Sequence, residues 1–319
     1  MTKSENVNNM LLNPTPIHIL SKEINNIYMK REDFIPFSFG GNKARKSLYF
    51  FKEIDRLGND CIVTYGTSSS NHCRIVSNMA AARGLPCVII GPQEASEPTF
   101  NSRMMNMFGA EIITVPVTQV HDKIEDTLGK LRKKGLNPYF IEGGGHGHWG
   151  TQAFVDCYYE ICQFEEQQDI HFDYIFFASG TGTTQAGLVC GQLMRNDKRQ
   201  IIGISIARKN PQGRSVVLDS IKSYFRDERI IMPDELISEK TVFLDGYTGN
   251  GYAKFSDVIN ETVYSMLIKY GVPMDTTYTA KAYVGMLDYI RKENIKDRTI
   301  LFIHTGGTPL FFDSIKQKQ

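Results

Sequence analysis

Apolar residues along the chain fall into short runs separated by stretches with helical spacing. The runs predict strands at Ile27–Lys30, Cys61–Tyr65, Cys87–Ile90, Glu111–Val115, Tyr139–Glu142, Tyr174–Ala178, Ile201–Ile206 and Thr299–His304. Between them the spacing predicts helices over Ala44–Leu57, Asn71–Arg83, Thr99–Phe108, Asp122–Lys134, Gly150–Phe164, Thr184–Met194, Gly213–Phe225, Asp257–Tyr270 and Thr279–Lys292. Strands rich in Ile, Val and Phe, alternating with helices of three or four turns, predict an α/β fold with mostly parallel sheets. No internal repeat or low-complexity segment interrupts the pattern. The stretch from Lys209 to Asp245 carries the weakest periodicity.

The 319 residues, 41% of them hydrophobic, suffice for a large core arranged as one large domain or two smaller ones. With 36 basic residues against 35 acidic, nothing in the charge balance points to a nucleic-acid or membrane partner, although small anionic ligands stay open. Cys61, Cys73, Cys87, Cys157, Cys162 and Cys190 are scattered without a C-x-x-C pair. That pattern predicts buried free thiols in a reducing cytosol, with neither a disulfide framework nor a zinc cluster. Residues 1–9 are polar and lack an apolar signal region, and no apolar run reaches membrane-spanning length. The expectation is a cytoplasmic globular protein.

In parallel sheets ligands gather at the carboxyl ends of strands. Four small-residue loops fall there: Gly66 to Asn71, Gly143 to His148, Ser179 to Thr184, and His304 to Gly307. They predict one composite site. The loop Ser179-Gly180-Thr181-Gly182-Thr183-Thr184 runs from an apolar strand straight into a helix. Its small residues let the backbone N–H groups of Gly182, Thr183 and Thr184 converge on a phosphate-sized anion at the positive helix end. Alone, it reads also as a tight turn with capping hydroxyls. No G-x-x-x-x-G-K-[ST] occurs, which argues against an NTP site. Gly145 to Gly150 satisfies G-x-G-x-x-G, with Glu165 or Glu166 as the later acid, and so supports a dinucleotide-dependent oxidoreductase as the reading outside the main class. Bulky histidines and a tryptophan crowd that turn.

Lys43 sits in Gly40-Gly41-Asn42-Lys43-Ala44-Arg45-Lys46, at a glycine-rich helix entry. The positive helix end favours its neutral amine, the form that condenses with a carbonyl. On charge pattern alone it reads as a solvated lysine. Together with Ser70-Asn71-His72-x-Arg74, the Ser179–Thr184 loop, Tyr278-Thr279-x-Lys281 and His304-Thr305-Gly306-Gly307, in this order, it resembles the D-cysteine desulfhydrase and aminocyclopropane-carboxylate deaminase family. These are fold-type II pyridoxal-phosphate enzymes, and the likeness runs from Pro14 to Phe311.

The resemblance implies a tryptophan synthase β-like fold with two open, twisted, mostly parallel sheets flanked by helices. It implies a large cofactor-binding domain from 1–46 and 156–319, a small α/β domain from 47–155, and a homodimer. The cofactor is pyridoxal 5'-phosphate. Lys43 is the residue joined to it and moves the Cα proton, while Asn71 holds its ring hydroxyl. Ser179, Gly180, Thr181, Gly182, Thr183 and Thr184 surround its phosphate. Thr279 and Thr305 stand by its ring nitrogen. Ser70, with Asn71 and His72, takes the substrate carboxylate, and Tyr252 and Tyr278 flank the substrate side chain. A hydroxyl near the ring nitrogen cannot hold a full positive charge there as a carboxylate does. Threonine at both places therefore points to α,β-elimination and away from the deaminase, whose members carry Glu and Leu. The expected products are a 2-keto acid and ammonia, and for cysteine pyruvate, sulfide and ammonia.

The chain departs from the family on the substrate side. Ser69 replaces a usual Gln, Phe37 and Phe39 are bulkier than in relatives, and Gly143 to Trp149 replaces a Gly-Gly-Ser-Asn loop. Ser69, His146 and Trp149 are accordingly placed with the substrate residues, and His146 and His148 read either as contacts to an acid group or as loop packing. Neither histidine makes a metal site. The altered positions also leave room for a β-replacement synthase.

Overall fold

The computed structural model describes residues 13–247 and 252–315, without the side chains of 252–256. Its strands form two sheets. The larger contains β1 (Ile17–Lys22), β2 (Asn26–Arg31), β7 (Tyr174–Ser179), β8 (Gln200–Ser205), β9 (Val242–Leu244) and β10 (Thr299–His304), in the order β1-β2-β10-β7-β8-β9. The smaller contains β3 (Cys61–Tyr65), β4 (Cys87–Pro92), β5 (Glu111–Val115) and β6 (Pro138–Ile141), in the order β5-β4-β3-β6. Among the described residues only the β1–β2 hairpin is antiparallel; the other pairs are parallel, as the alternating pattern predicts. The described helices are α1 (Asn42–Leu57), α2 (Asn71–Arg83), α3 (Phe100–Met107), α4 (Val120–Lys133), α5 (His148–Gln168), α6 (Thr183–Met194), α7 (Gln212–Asp227), α8 (Asp234–Lys240), α9 (Tyr252–Tyr270), α10 (Thr279–Lys292) and α11 (Thr308–Ile315).

Strands buried on both faces read as continuous apolar runs, and successive side chains go to opposite faces. In β7 and β10, Ile175, Phe177, Leu301 and Ile303 join Phe154 of α5 and Leu188 of α6 in one core. Phe176, Ala178, Ile300 and Phe302 enter the other, with Val263 of α9 and Met286 of α10. Each fully buried aromatic of this kind contributes roughly 1.5–3 kcal/mol. Helix α6 leans directly on α5 because Gly187 has no side chain: a Cβ there would stand 2.5 Å from the Phe154 Cβ and 2.3 Å from the Thr151 carbonyl oxygen. This contact fixes where α6 starts, and so where its leading loop lies.

Four elements escape the sequence pattern. Strand β1 is half-buried along most of its length, β9 has only three residues, and α8 and α11 are short. No described helix is long and apolar enough to cross a membrane.

Candidate active site

The exits of β3, β6, β7, β8 and β10 converge on a cavity of about 680 Å³, within the size range of ligand sites. All four small-residue loops reach it through Gly66 and Ser70, Gly143 and Gly144, Gly180 and Thr181, and Thr305 and Gly306. A smaller cavity of about 280 Å³ shares Gly66 and Thr67 but holds none of the predicted residues.

Lys43 lies in the first turn of α1, one residue after Asn42, and borders the cavity. Its entry loop is pinned to the exit of β10, where the Asn42 N–H donates to the Thr305 carbonyl at 2.9 Å. Gly41 makes this possible: its φ is +97°, and a Cβ there would stand 2.8 Å from the same carbonyl oxygen. On the other side Arg74, buried in α2, donates to the Ser38 carbonyl and hydroxyl and so holds the turn before Gly40. Lys43 Nζ donates to the Gly144 carbonyl at 2.9 Å. Burial lowers its pKa to about 8, with Cys73 opposing the shift. A substantial neutral fraction near neutral pH is what a nucleophilic amine requires.

The Ser70 hydroxyl accepts from Cys73 N–H and caps α2. Asn71 Oδ1 accepts from Asn101 Nδ2 at 2.9 Å, which leaves the Asn71 amide nitrogen as its free donor. The Thr64 hydroxyl donates to the Ile141 carbonyl, so His72 Nε2 donates to Thr64 at 2.9 Å. Burial, with Lys43 and Lys46 adding to it, holds His72 well below its usual pKa. Ser70, Asn71 and His72 all border the cavity. So does Tyr278, whose phenol burial and Asp275 push up to about 12, keeping it neutral.

At the phosphate loop, Gly180 and Thr181 form cavity wall, and Gly182, Thr183 and Thr184 make the helix start just behind it. No side chain caps α6, and first-turn N–H groups are the ordinary anion donors of a helix. The Thr184 hydroxyl accepts from Asn42 Nδ2 at 3.1 Å, and Lys46 Nζ donates to the Thr183 hydroxyl at 2.7 Å. Lys46 is buried, and among the described residues no carboxylate pairs with it. Burial and then Lys43 depress its ammonium form. These groups fit a phosphate. Lys46 was missed in the sequence, although its place three residues after Lys43 puts both on one helix face. Arg208, Tyr65 and Glu142 also border the cavity unforeseen.

Several predicted residues stand elsewhere. The Ser179 hydroxyl is buried and bonds to Gln185 Oε1, off the cavity wall. Thr279 is also off the wall: its hydroxyl donates to Asp275 Oδ1 and accepts from Asp275 N–H, so it is fully engaged, and Thr305 is the threonine of the pair that borders the cavity. Ser69 turns to Thr67 Oγ1, and its carbonyl accepts from Asn101. Trp149 packs on the core around α1 and α2 and lies edge-to-face with His148, because the loop directs the indole inward. His146 does border the cavity, whereas His148 stacks on Tyr224. Tyr252 has its side chain outside the described residues.

The turn offered for a dinucleotide is closed. A Cβ at Gly150 would stand 2.0 Å from the Gly145 carbonyl oxygen, and Glu165 is held by Arg199 at 2.8 Å. Glu32, Cys157 and Glu160 bring ligand atoms within 4.8 Å of one another, yet Arg45 and Lys30 already hold both carboxylates.

A buried lysine on a cavity at the carboxyl ends of parallel strands, faced by an uncapped helix start with a second buried lysine beside it, defines a site for a phosphorylated aldehyde cofactor. The family model of pyridoxal-phosphate dependent enzymes matches residues 9–306, and the chain belongs to that family. It is a fold-type II pyridoxal 5'-phosphate enzyme. The D-cysteine desulfhydrase of Serratia proteamaculans (strain 568) is 28% identical over 298 residues, which cover 90% of this chain and 88% of that protein. The crystal structure of an ACC deaminase homologue superposes with a TM-score of 0.85 at 27% identity, covering 99% of this chain and 98% of that one. A hydrogen sulfide-producing enzyme from Fusobacterium nucleatum shares the fold, with a TM-score of 0.71 at 18% identity over 99% of this chain and 92% of its own.

Proposed function

We propose that the chain catalyses α,β-elimination on a small amino acid, in the manner of a D-cysteine desulfhydrase, releasing a 2-keto acid and ammonia. The observation that carries this reading is Lys43, an amine of lowered pKa on the wall of a cavity that also presents Thr305. Lys43 would be the amine that holds the cofactor, and its Nζ moves the substrate's Cα proton. Ser70 and the first turn of α2 take the substrate carboxylate, since the cap leaves first-turn N–H groups facing an anion. The free amide nitrogen of Asn71 donates to the ring hydroxyl, and Lys46 with the Gly180–Thr184 loop holds the phosphate. Tyr278 stays a neutral phenol beside the substrate side chain. When bound, pyridoxal phosphate supplies an electron sink. Thr305 offers its ring nitrogen only a neutral hydroxyl, which favours departure of a β-substituent over cyclopropane opening. In the same reading residues 1–46 and 156–319 make the cofactor domain, 47–155 the smaller one, and the enzyme is a cytoplasmic homodimer.

The purified protein is expected to be yellow with pyridoxal phosphate, to bleach with borohydride, and to release pyruvate and sulfide from D-cysteine. Lys43→Ala is expected to lose the covalent absorbance and about 10³-fold or more of the turnover. A wild type that stays colourless in excess cofactor overturns the reading of the site, and a coloured protein that spares both cysteine enantiomers overturns the substrate.

A further inference from the structure

His146 occupies the loop between β6 and α5. Its Nδ1 lies 3.2 Å from the Thr181 carbonyl oxygen. That oxygen only accepts, so Nδ1 carries the ring proton and Nε2 holds a lone pair. Nε2 bonds to no described residue, and it is not among the sealed, partnerless atoms of the interior. The imidazole borders the cavity that holds Lys43. Burial favours its neutral form. Glu142 on the same loop and the bond to Thr181 oppose this, while Lys46 from α1 and Arg208 from the loop after β8 support it, and the balance lowers its pKa.

The ring is thereby an acceptor with no proton to give at Nε2. A departing anion needs a donor, whereas an incoming neutral nucleophile needs an acceptor. His146 matches the second need. We propose that His146 is the base that deprotonates a second substrate, a thiol or an amine, as it adds to the β-carbon vacated by the first β-substituent. The site then makes a substituted amino acid alongside the keto acid. In this step the nucleophile's N–H or S–H bond breaks and its proton passes to Nε2. The freed electron pair forms the bond to the β-carbon, and Lys43 returns the proton it took from Cα. The imidazolium finally passes its proton to the departed substituent or, where that is as weak a base as chloride, to water, so the exchange is balanced without an oxidant or reductant. This inference rests on the eliminating enzyme proposed above.

The test uses the cofactor-loaded enzyme with β-chloroalanine as donor and 2-mercaptoethanol as acceptor, and it reads the ratio of S-hydroxyethylcysteine to pyruvate. Because both products come from one enzyme population, the ratio is insensitive to partial misfolding. His146→Asn is expected to lower it at least about tenfold near neutral pH, at the modest end of general-base effects. The gap should close above the thiol's own pKa, where the nucleophile arrives already ionised. Imidazole nitrogen NMR of the wild type should show the Nδ1–H tautomer. An unchanged ratio in His146→Asn, a gap that persists at high pH, or an Nε2–H tautomer each overturns the proposal. A protein that gains no visible absorbance and makes neither product refutes the underlying reading instead.

Discussion

Helix α1 carries Lys43, Arg45 and Lys46 within one turn, and the fold surrounds them in opposite ways. Arg45 donates to both oxygens of Glu32 at 2.6 and 2.9 Å and to both of Glu160 at 2.6 and 2.9 Å. Lys30 and Thr15 complete that cluster from β2 and the segment before β1. Lys43 and Lys46 have a carbonyl and a hydroxyl, and no carboxylate. Burying a cation without a counter-ion is costly, and a paired one is stable only while its partners stay. One face of the helix is therefore architectural. The other is held ready for an anion and an aldehyde that the protein itself does not supply, and the two amines buried without a carboxylate show where they bind.

The largest effect that sharpens this contrast lies on the paired face. Glu32→Gln removes one charge from the buried cluster and is expected to destabilise the protein by about 3–5 kcal/mol, because Arg45 keeps its charge with half its partners. Urea denaturation measures it. A loss under about 1 kcal/mol would mean that the cluster is not closed as described. On the unpaired face the sign reverses with pH. The Lys43 pKa falls from 10.5 to about 8 on folding, so between those values the unfolded chain binds more protons and stability rises with pH. In the cofactor-free protein the difference between wild type and Lys43→Met should close by up to about 3 kcal/mol across that window, with wild type the weaker below it. Taking the difference cancels the buried cysteines, whose raised pKa values act in the opposite direction. A flat difference would show that the amine is solvated.

Lys46 is next in size. Lys46→Met is expected to raise the Kd for pyridoxal phosphate about 10- to 100-fold, the worth of one charge-assisted contact. Melting of the cofactor-free protein should hold steady or rise, since a buried amine whose charged form burial disfavours gives way to an apolar side chain. Fluorescence titration and calorimetry together decide it. Loss of stability with unchanged Kd would assign Lys46 to the architecture.

The unpaired face was half legible in the sequence. Lys43 stood out only through the resemblance carried by the separated motifs, since on charge pattern alone it reads as a solvated lysine. The Ser179–Thr184 loop gave a local signal, because a strand buried on two faces must be continuously apolar and a phosphate turn must be small. What escaped depends on contacts far apart in the chain. Lys46 finds Thr183 at a separation of 137 residues, a partner that its place on the Lys43 face of the helix does not disclose. Ser179 and Thr279 look like ligands in one dimension, but Gln185 and Asp275 engage their hydroxyls. The six residues of β1 are partly buried almost throughout and do not alternate, and the three of β9 are too few to show a period.

The smallest effect tests whether a partner already engaged removes a residue from the chemistry. Ser69 departs from the family and adjoins Ser70, so in one dimension it belongs to the substrate. In the fold its hydroxyl lies 3.1 Å from Thr67 Oγ1, and its carbonyl accepts from Asn101 Nδ2 at 2.8 Å. Asn101 also holds Asn71, so the backbone of Ser69 matters to the site while its hydroxyl does not. Ser69→Ala keeps that backbone and is expected to change kcat/KM by no more than about twofold, the scale of a substitution worth under 0.5 kcal/mol. Asn101→Ala, which frees the Asn71 amide to rotate, should weaken cofactor binding instead. A drop beyond about tenfold in Ser69→Ala would mean that this hydroxyl leaves Thr67 during turnover, and that pairing in the resting fold does not separate architecture from chemistry here.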